Sequence, residues 1–301
     1  MRAVTGRATI TRRHALGLAA GAVLLPCLGH AASGRRVAAI DWAGLETALA
    51  LGIVPVAATE LIQFRKTVVE PEVPDSVIDL GLRGMPNYEA LTLAEPDLIL
   101  TSNYYEGQRG SLERVAETLS LPIYQPGVPP YGLAAEAAVT LGRALGREAE
   151  ARAFVAGAEA EIARLGDSLR GVVRRPVLAI NFGDARHVRA FGDDSMFGAV
   201  LQRLGLRNAW ASQSSYSAAA PLGIEALARM PDAITVVVPP LPPDVVRGLD
   251  DSALWQALPM VREKRVSVIG PVNHFGGLPA ALRFARLVTA ALLWPETARH
   301  G

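Results

Sequence analysis

From Leu133 to Arg170 the chain reads "LAAEAAVTLGRALGREAEARAFVAGAEAEIARLGDSLR", 38 residues without a proline. Ala, Glu and Arg dominate this stretch, and their low cost in a helix interior predicts helix throughout. Gly146 is the natural break, leaving a helix from about Glu148 to Arg170. At 1.5 Å per residue it is ~33 Å long, about the diameter of a small domain. Its apolar positions Ala153, Phe154, Ala160, Ile162, Leu165 and Leu169 are predicted to hold it against neighbours on both sides. A rod of that length at mid-chain restricts the fold to elements arranged on either side of it.

Both flanks alternate between short apolar runs and helical patterns, which is the α/β signature. On the first side "RRVAAIDW", "IVPVAAT", "PDSVIDLG", "PDLILTS" and "LPIYQPG" read as strands, with helices between them. The run of Leu and Ile in "PDLILTS" suits a strand buried on both faces. On the second side "RPVLAIN", "HVRAFG", "PDAITVVVPP" and "RVSVIG" are strands, and "LPAALRFARLVTAALL" closes the chain as an amphipathic helix. The expected fold is α/β with two lobes. Each is a mainly parallel sheet flanked by helices, and one long rigid interdomain helix joins them. The boundaries follow: 33–132 for the first lobe, 133–172 for the helical segment, 173–301 for the second lobe.

Residues 1–32 are set apart from the fold. Arg12 and Arg13 precede a short apolar stretch that ends in "GHAAS", the layout of a secretory signal, and the paired arginines suggest the twin-arginine route. Without that segment the chain loses four arginines and no acid, so its formal charge passes from +1 to −3. That balance leaves no basic footprint for nucleic acid. The one cysteine, Cys27, lies in the same segment. The remainder has no disulfide, no thiolate metal site and no iron–sulfur cluster, and its stability must come from burial. The expected product is exported, cleaved and periplasmic.

One element occurs twice. "GLRGMPNYEALTLAEPDLIL" (81–100) and "PLGIEALARMPDAITVVV" (221–238) share Glu-Ala-Leu, a short helix, Pro-Asp and an apolar run. Each copy begins near a glutamate, Glu89 or Glu225, whereas Arg83 has no counterpart.

In order and at matching spacing, "ALGIVPVA", "PDSVIDLGLRGMPNYEAL", "DARHVRAFGDDSMF", "GLRNAW" and "LWQALPMVR" resemble the substrate-binding proteins of ABC importers that have a helical backbone between lobes. The strongest likeness is to the iron(III)-hydroxamate (ferrichrome-type) siderophore-binding family, and it covers essentially the whole chain after residue 32. The resemblance implies a class III periplasmic binding protein of the helical-backbone metal receptor type. It implies a shallow cleft for a ferric siderophore and delivery to an inner-membrane ABC permease. No catalytic step, no cofactor and no metal ligand from the protein are implied, because the siderophore saturates the iron. A monomer is expected.

The resemblance also assigns residues. Arg83, just past the "VIDLG" strand, would donate to the ligand's hydroxamate oxygens; a guanidinium's forked donors suit that task. The alternative is a surface arginine, common in a chain with only two lysines, Lys66 and Lys264. Tyr105, or its neighbour Tyr104, would bring a hydroxyl to the same oxygens. Where the family lines its cleft with aromatic residues, this chain is read as having Thr67, Thr101, Ser217, Asn273 and Phe275, with Tyr216 beside Ser217. Arg189 replaces an apolar residue; it either faces the cleft opposite Arg83 or points to solvent. Lost aromatics and a gained cation suggest an anionic ligand, a citrate-based hydroxamate or carboxylate-type siderophore. Glu89 and Glu225 would meet arginines of the two permease subunits, although a glutamate near a helix start is also favoured by the helix dipole.

Haem or a corrinoid is the alternative ligand. His187, His274 and His300 are too few and too scattered for a zinc or manganese site. A two-lobed metalloenzyme would need cluster-ligating cysteines, and no G-x-S-x-G is present for a hydrolase.

Overall fold

The computed structural model describes residues 34–210, 220–249 and 251–294. In chain order the first half contains β1 (Val37–Ala39), α1 (Trp42–Ala50), β2 (Ala57–Ala58), α2 (Leu61–Thr67), β3 (Ile78–Asp79), α3 (Tyr88–Leu93), β4 (Leu98–Thr101), α4 (Arg109–Leu112) and β5 (Glu117–Ser120). The five strands form one sheet in the order β3-β2-β1-β4-β5, parallel at every joint. β1 and β4 are wholly buried, as their unbroken apolar runs require when helices cover both faces.

Two long helices follow, α5 (Pro130–Ala144) and α6 (Glu148–Leu169). Gly146 separates them at φ +70, a left-handed turn that costs glycine nothing. α6 has the expected length and buries Ile162, Leu165 and Leu169 as predicted, with Phe154 packed against the core, but two of the predicted alanines face outward. Its buried residues are Ala151, Ala158, Ile162, Leu165 and Leu169, whereas Ala153 and Ala160 are exposed. In a stretch so rich in alanine the apolar stripe has no unique position until neighbours choose it. Spacings of seven, four, three and four keep the chosen stripe on one face.

The second half contains β6 (Val177–Phe182), β7 (His187–Ala190), α7 (Met196–Arg203), β8 (Ala220–Gly223), β9 (Ile234–Val237), α8 (Pro243–Gly248), α9 (Ala253–Ala257), α10 (Pro259–Arg262), β10 (Val266–Val268) and α11 (Leu278–Leu293). The second sheet has the order β10-β9-β6-β7-β8. The β10/β9 and β9/β6 joints are parallel, while β6/β7 and β7/β8 are antiparallel. The expectation of a mainly parallel sheet therefore holds fully for the first lobe and for half of the second. At the β6/β7 joint the reason is length: only residues 183–186 connect the two strands, too short for the crossover that a parallel pair needs.

The two sheets share their largest core. It runs from Val37 and Leu100 of the first sheet through Ile162 and Leu165 of α6 to Val177, Phe197 and Phe284. α11 packs against α1, α5, α6 and α7, so the last helix ties the second half back onto the first. Arg286 of α11 donates to both carboxylate oxygens of Glu161 on α6, at 2.7 and 2.9 Å. Among the described residues no helix is long and apolar enough to cross a membrane.

Candidate functional site

The carboxyl ends of the first sheet's strands converge on one cavity of about 440 Å³. Asp41 and Trp42 follow β1, Glu60 follows β2, Arg83 follows β3, Ser102 to Tyr105 follow β4, and Leu121, Ile123 and Tyr124 follow β5. Open α/β sheets bind ligands at this edge because their strands end there and their loops are free to vary. The second half of the chain contributes Phe275 to the lining.

Arg83 is held from two sides. Its Nε donates to Glu60 Oε2 at 2.8 Å and its backbone N–H to Glu60 Oε1 at 3.1 Å. Its guanidinium carbon lies 4.1 Å from the centroid of the Trp42 ring, a cation–π stack. Glu60 makes this possible from a left-handed backbone, φ 52 and ψ 43, at the N-cap of α2. Its side chain caps no helix N–H. A non-glycine residue in that region costs on the order of 1–3 kcal/mol and persists only where its surroundings demand it.

Asp41 caps α1, accepting from Ala43 N–H at 2.8 Å and Gly44 N–H at 3.2 Å, and it accepts from the Ser102 hydroxyl at 3.0 Å. Burial raises its pKa, while those donors and the charge of Arg83 act the other way. Burial pushes the phenol of Tyr105 up to about 12; the Asp41 charge adds to this and Arg83 opposes it. Tyr124 is also raised, chiefly by burial, so both phenols are uncharged donors at neutral pH.

Phe275 reaches the cavity on a segment pinned to α1. Glu46, fully buried on α1, accepts from the Asn273 side-chain amide and, at 3.1 Å, from Gly277 N–H. Asn273 Oδ1 accepts from Phe275 N–H at 3.1 Å, and the Tyr124 hydroxyl donates to Gly276 O at 2.8 Å. Phe275 meets Tyr124 edge-on at 5.4 Å. Burial pushes the Glu46 carboxyl up to about 8, against the donors that favour its charge. Burial lowers His274 to about 4, with the Arg189 charge adding to the effect.

Of the residues singled out from sequence, Arg83, Tyr104, Tyr105 and Phe275 come together on the cavity. Four do not line it. Thr67 ends α2, whose opposite end, at Glu60, faces the cavity; its hydroxyl accepts from Gln63. Thr101 is buried as the last residue of β4, one position before the lining begins at Ser102. Asn273 is turned to Glu46. Arg189 is exposed on β7 and donates to Asn181 Oδ1 at 3.4 Å. Tyr216 and Ser217 lie outside the described residues, as do residues 1–32. Glu89 in the first turn of α3 and Glu225 in the short 3₁₀ helix Ile224–Arg229 are both exposed, away from the lining. Sequence reasoning passed over Asp41, Trp42, Glu60 and Tyr124. Each follows a strand of the first sheet, so their places at the sheet edge were readable from the strand pattern, while their contacts were not.

Among the described residues no three His, Cys, Asp or Glu side chains are grouped to hold a metal ion. The cavity instead offers one guanidinium with its outer edge free of Glu60, two carboxylates that hold hydrogen-bond donors, uncharged phenols and aromatic walls, which suits an organic ligand bearing oxygen acceptors.

Comparison with known proteins agrees with this architecture. The Iron(3+)-hydroxamate-binding protein FhuD of Escherichia coli (strain K12) is 30% identical over 293 residues, 96% of this chain and 99% of that protein. The structure of the siderophore-binding protein FhuD from Vibrio cholerae, bound to Fe3+–Desferal, superimposes with a TM-score of 0.83 at 29% identity, covering 87% of this chain and 99% of that one. The triscatecholate siderophore-binding protein FeuA of Bacillus subtilis shares the fold at 18% identity and a TM-score of 0.68, over 85% of this chain and 92% of its own. The periplasmic binding protein family model matches residues 37–272, from the first strand to just past the last. With its strand-end cavity and two five-stranded sheets separated in sequence by one long helix, this chain belongs to the periplasmic binding protein family.

Proposed function

We propose that this protein captures a ferric siderophore, of hydroxamate type, and delivers it to an ABC permease for iron uptake. The observation that carries the reading is Arg83. Glu60 and Trp42 occupy its Nε and one face, so the outer edge of the guanidinium is oriented towards incoming acceptors beside the Tyr105 hydroxyl. Ferric hydroxamates present such an edge of oxygens around the metal, and charge-assisted donors bind them without supplying a ligand to the iron. Likeness to two proteins whose names specify iron(3+)-hydroxamate or Fe3+–Desferal supports the chemistry. Residues 1–32 are proposed to direct export, and the lobes 33–132 and 173–301 to close on the ligand about the segment 133–172. The protein acts as a monomer and carries no cofactor.

Mixing the purified protein with ferric Desferal, then desalting, tests the reading. Retention of the chelate's visible charge-transfer band with the protein is the expected result. No retention, with haem or a corrinoid retained instead, would transfer the site to those ligands.

A further inference from the structure

The sequence suggested an anionic ligand, on the strength of Arg189 facing Arg83. The cavity has a different balance. Its charged lining groups are one guanidinium, Arg83, and two carboxylates, Asp41 and Glu60. Glu60 is already within 2.8 Å of Arg83 and offsets its charge. Burial raises the Asp41 carboxyl, and three backbone or hydroxyl donors together with the Arg83 charge act against that rise in favour of its ionised form. The tyrosines of the lining add no charge at neutral pH, nor does His274, which packs against the Phe191 and Phe197 rings and is lowered to about 4. Arg189 lies outside the lining with its guanidinium on Asn181. Residues 211–219, "ASQSSYSAA", contain no charged side chain. The rest of the lining is uncharged and includes Trp42, Tyr104, Tyr105, Tyr124 and Phe275, aromatic rings whose faces attract cations and repel carboxylates.

Resting on the reading that the ligand is a ferric siderophore, we propose that this cavity selects chelates by charge, preferring those with a cationic arm to neutral ones and excluding those with carboxylate arms. Glu60 is the group that sets the preference. It is the carboxylate that pairs directly with Arg83, at 2.8 Å and with a side-chain exposure of 19%, and removing its charge leaves Arg83 balanced against Asp41 alone. A unit charge about 10 Å away at an effective dielectric constant of ~20 changes affinity by about tenfold. The discrimination should therefore be about tenfold per unit of ligand charge and should narrow as salt screens it.

Three forms of one chelator isolate the effect. Ferric Desferal carries a terminal ammonium and a net charge of +1; acetylating the amine gives a neutral chelate, and succinylating it gives −1, with the iron centre unchanged. Calorimetric titration of the full-length mature protein should give affinities in the order ammonium, acetyl, succinyl. The Glu60→Gln protein, shown to be folded by its circular dichroism and thermal transition, should bind the three with nearly equal affinity. Equal affinities in the unsubstituted protein, or tightest binding of the succinyl form, would overturn the proposal. A full order retained in Glu60→Gln would overturn the assignment to Glu60. If none of the three binds while haem or a corrinoid does, the siderophore reading itself fails and the charge preference falls with it.

Discussion

At the scale of single residues, the cavity depends on one arginine and the group that orients it. Hydrogen bonds to a charged partner contribute about 1.5–3 kcal/mol, so Arg83→Ala should weaken ferric Desferal binding by about ten- to a hundredfold. Arg83→Lys should recover little of this, because an ammonium cannot stack on Trp42 and address two oxygens together. Glu60→Gly separates function from stability. It relieves a left-handed glutamate, φ 52, while deleting the acceptor for both Arg83 donors. The variant should unfold within about 1 kcal/mol of the unsubstituted protein yet bind ferric Desferal at least tenfold more weakly. A large loss of stability with binding intact would refute this.

Arg83 was legible in the sequence because it closely follows the "VIDLG" strand, which puts a cation at a sheet edge, and because the family resemblance marks that place. Glu60 was not, since nothing in "ATELIQ" shows that its backbone is left-handed or that its carboxylate reaches across 23 positions. Asn273 was misplaced for a related reason. A polar residue near the cleft looks like a contact until its buried partner Glu46, 227 positions away, is known.

At the scale of elements, the segment 273–277 bears the most on the site, because it carries Phe275 and is fastened to α1. A Cβ at Gly276 would lie 2.7 Å from the Glu46 carboxylate, and one at Gly277 would lie 2.8 Å from the Thr47 hydroxyl. Gly276→Ala should therefore destabilise the fold by about 1–3 kcal/mol, as overpacking does, read as a fall in the urea midpoint.

The same junction sets a dependence on pH. Glu46 is raised from 4.5 to about 8, so between those values the folded chain keeps a proton that the unfolded chain has released, and stability falls as pH rises. His274 is lowered from 6.5 to about 4, so between those values the unfolded chain holds the extra proton, and stability rises with pH. From about 4.5 to 6.5 the two contributions oppose each other. Above 6.5 Glu46 acts alone, and the urea midpoint should decline towards pH 8. Glu46→Gln should remove that decline; its persistence would show that another group is responsible.

Element types and order were largely readable from apolar period and turn residues. Two things were not: which alanines of an alanine-rich helix would pack, and that α11 would return to the first half. Both depend on neighbours that no local pattern contains.

At the scale of the molecule, the shared core limits how the halves can move. α6 and α11 pack on each other within the core that both sheets share, and Arg283 and Arg286 of α11 both approach Glu70 in the first half, at 3.2 and 3.5 Å. Lobe closure on a ligand should accordingly be small. Small-angle scattering with and without ferric Desferal should give radii of gyration that differ by less than about 1 Å, far from a large hinge closure. The repeated glutamates belong to this scale as well. Glu89 and Glu225 stand exposed in corresponding copies of one element. Reversing both charges should abolish uptake through the permease and leave ferric Desferal binding unchanged, since neither lines the cavity. Unimpaired uptake would remove the docking proposal.

The stack of Arg83 on Trp42 has an optical consequence. The chain has four tryptophans, and among them only Trp42 borders the cavity; Trp255 is buried in the outer core of the second lobe, Trp210 packs beside it, and Trp294 is exposed near the chain end. A ferric chelate absorbs in the range where tryptophan emits, and it would arrive against that one indole. The protein thus carries its own fluorophore at the point of occupancy, and a Trp42→Phe protein should stay nearly as bright on loading while the unsubstituted one dims.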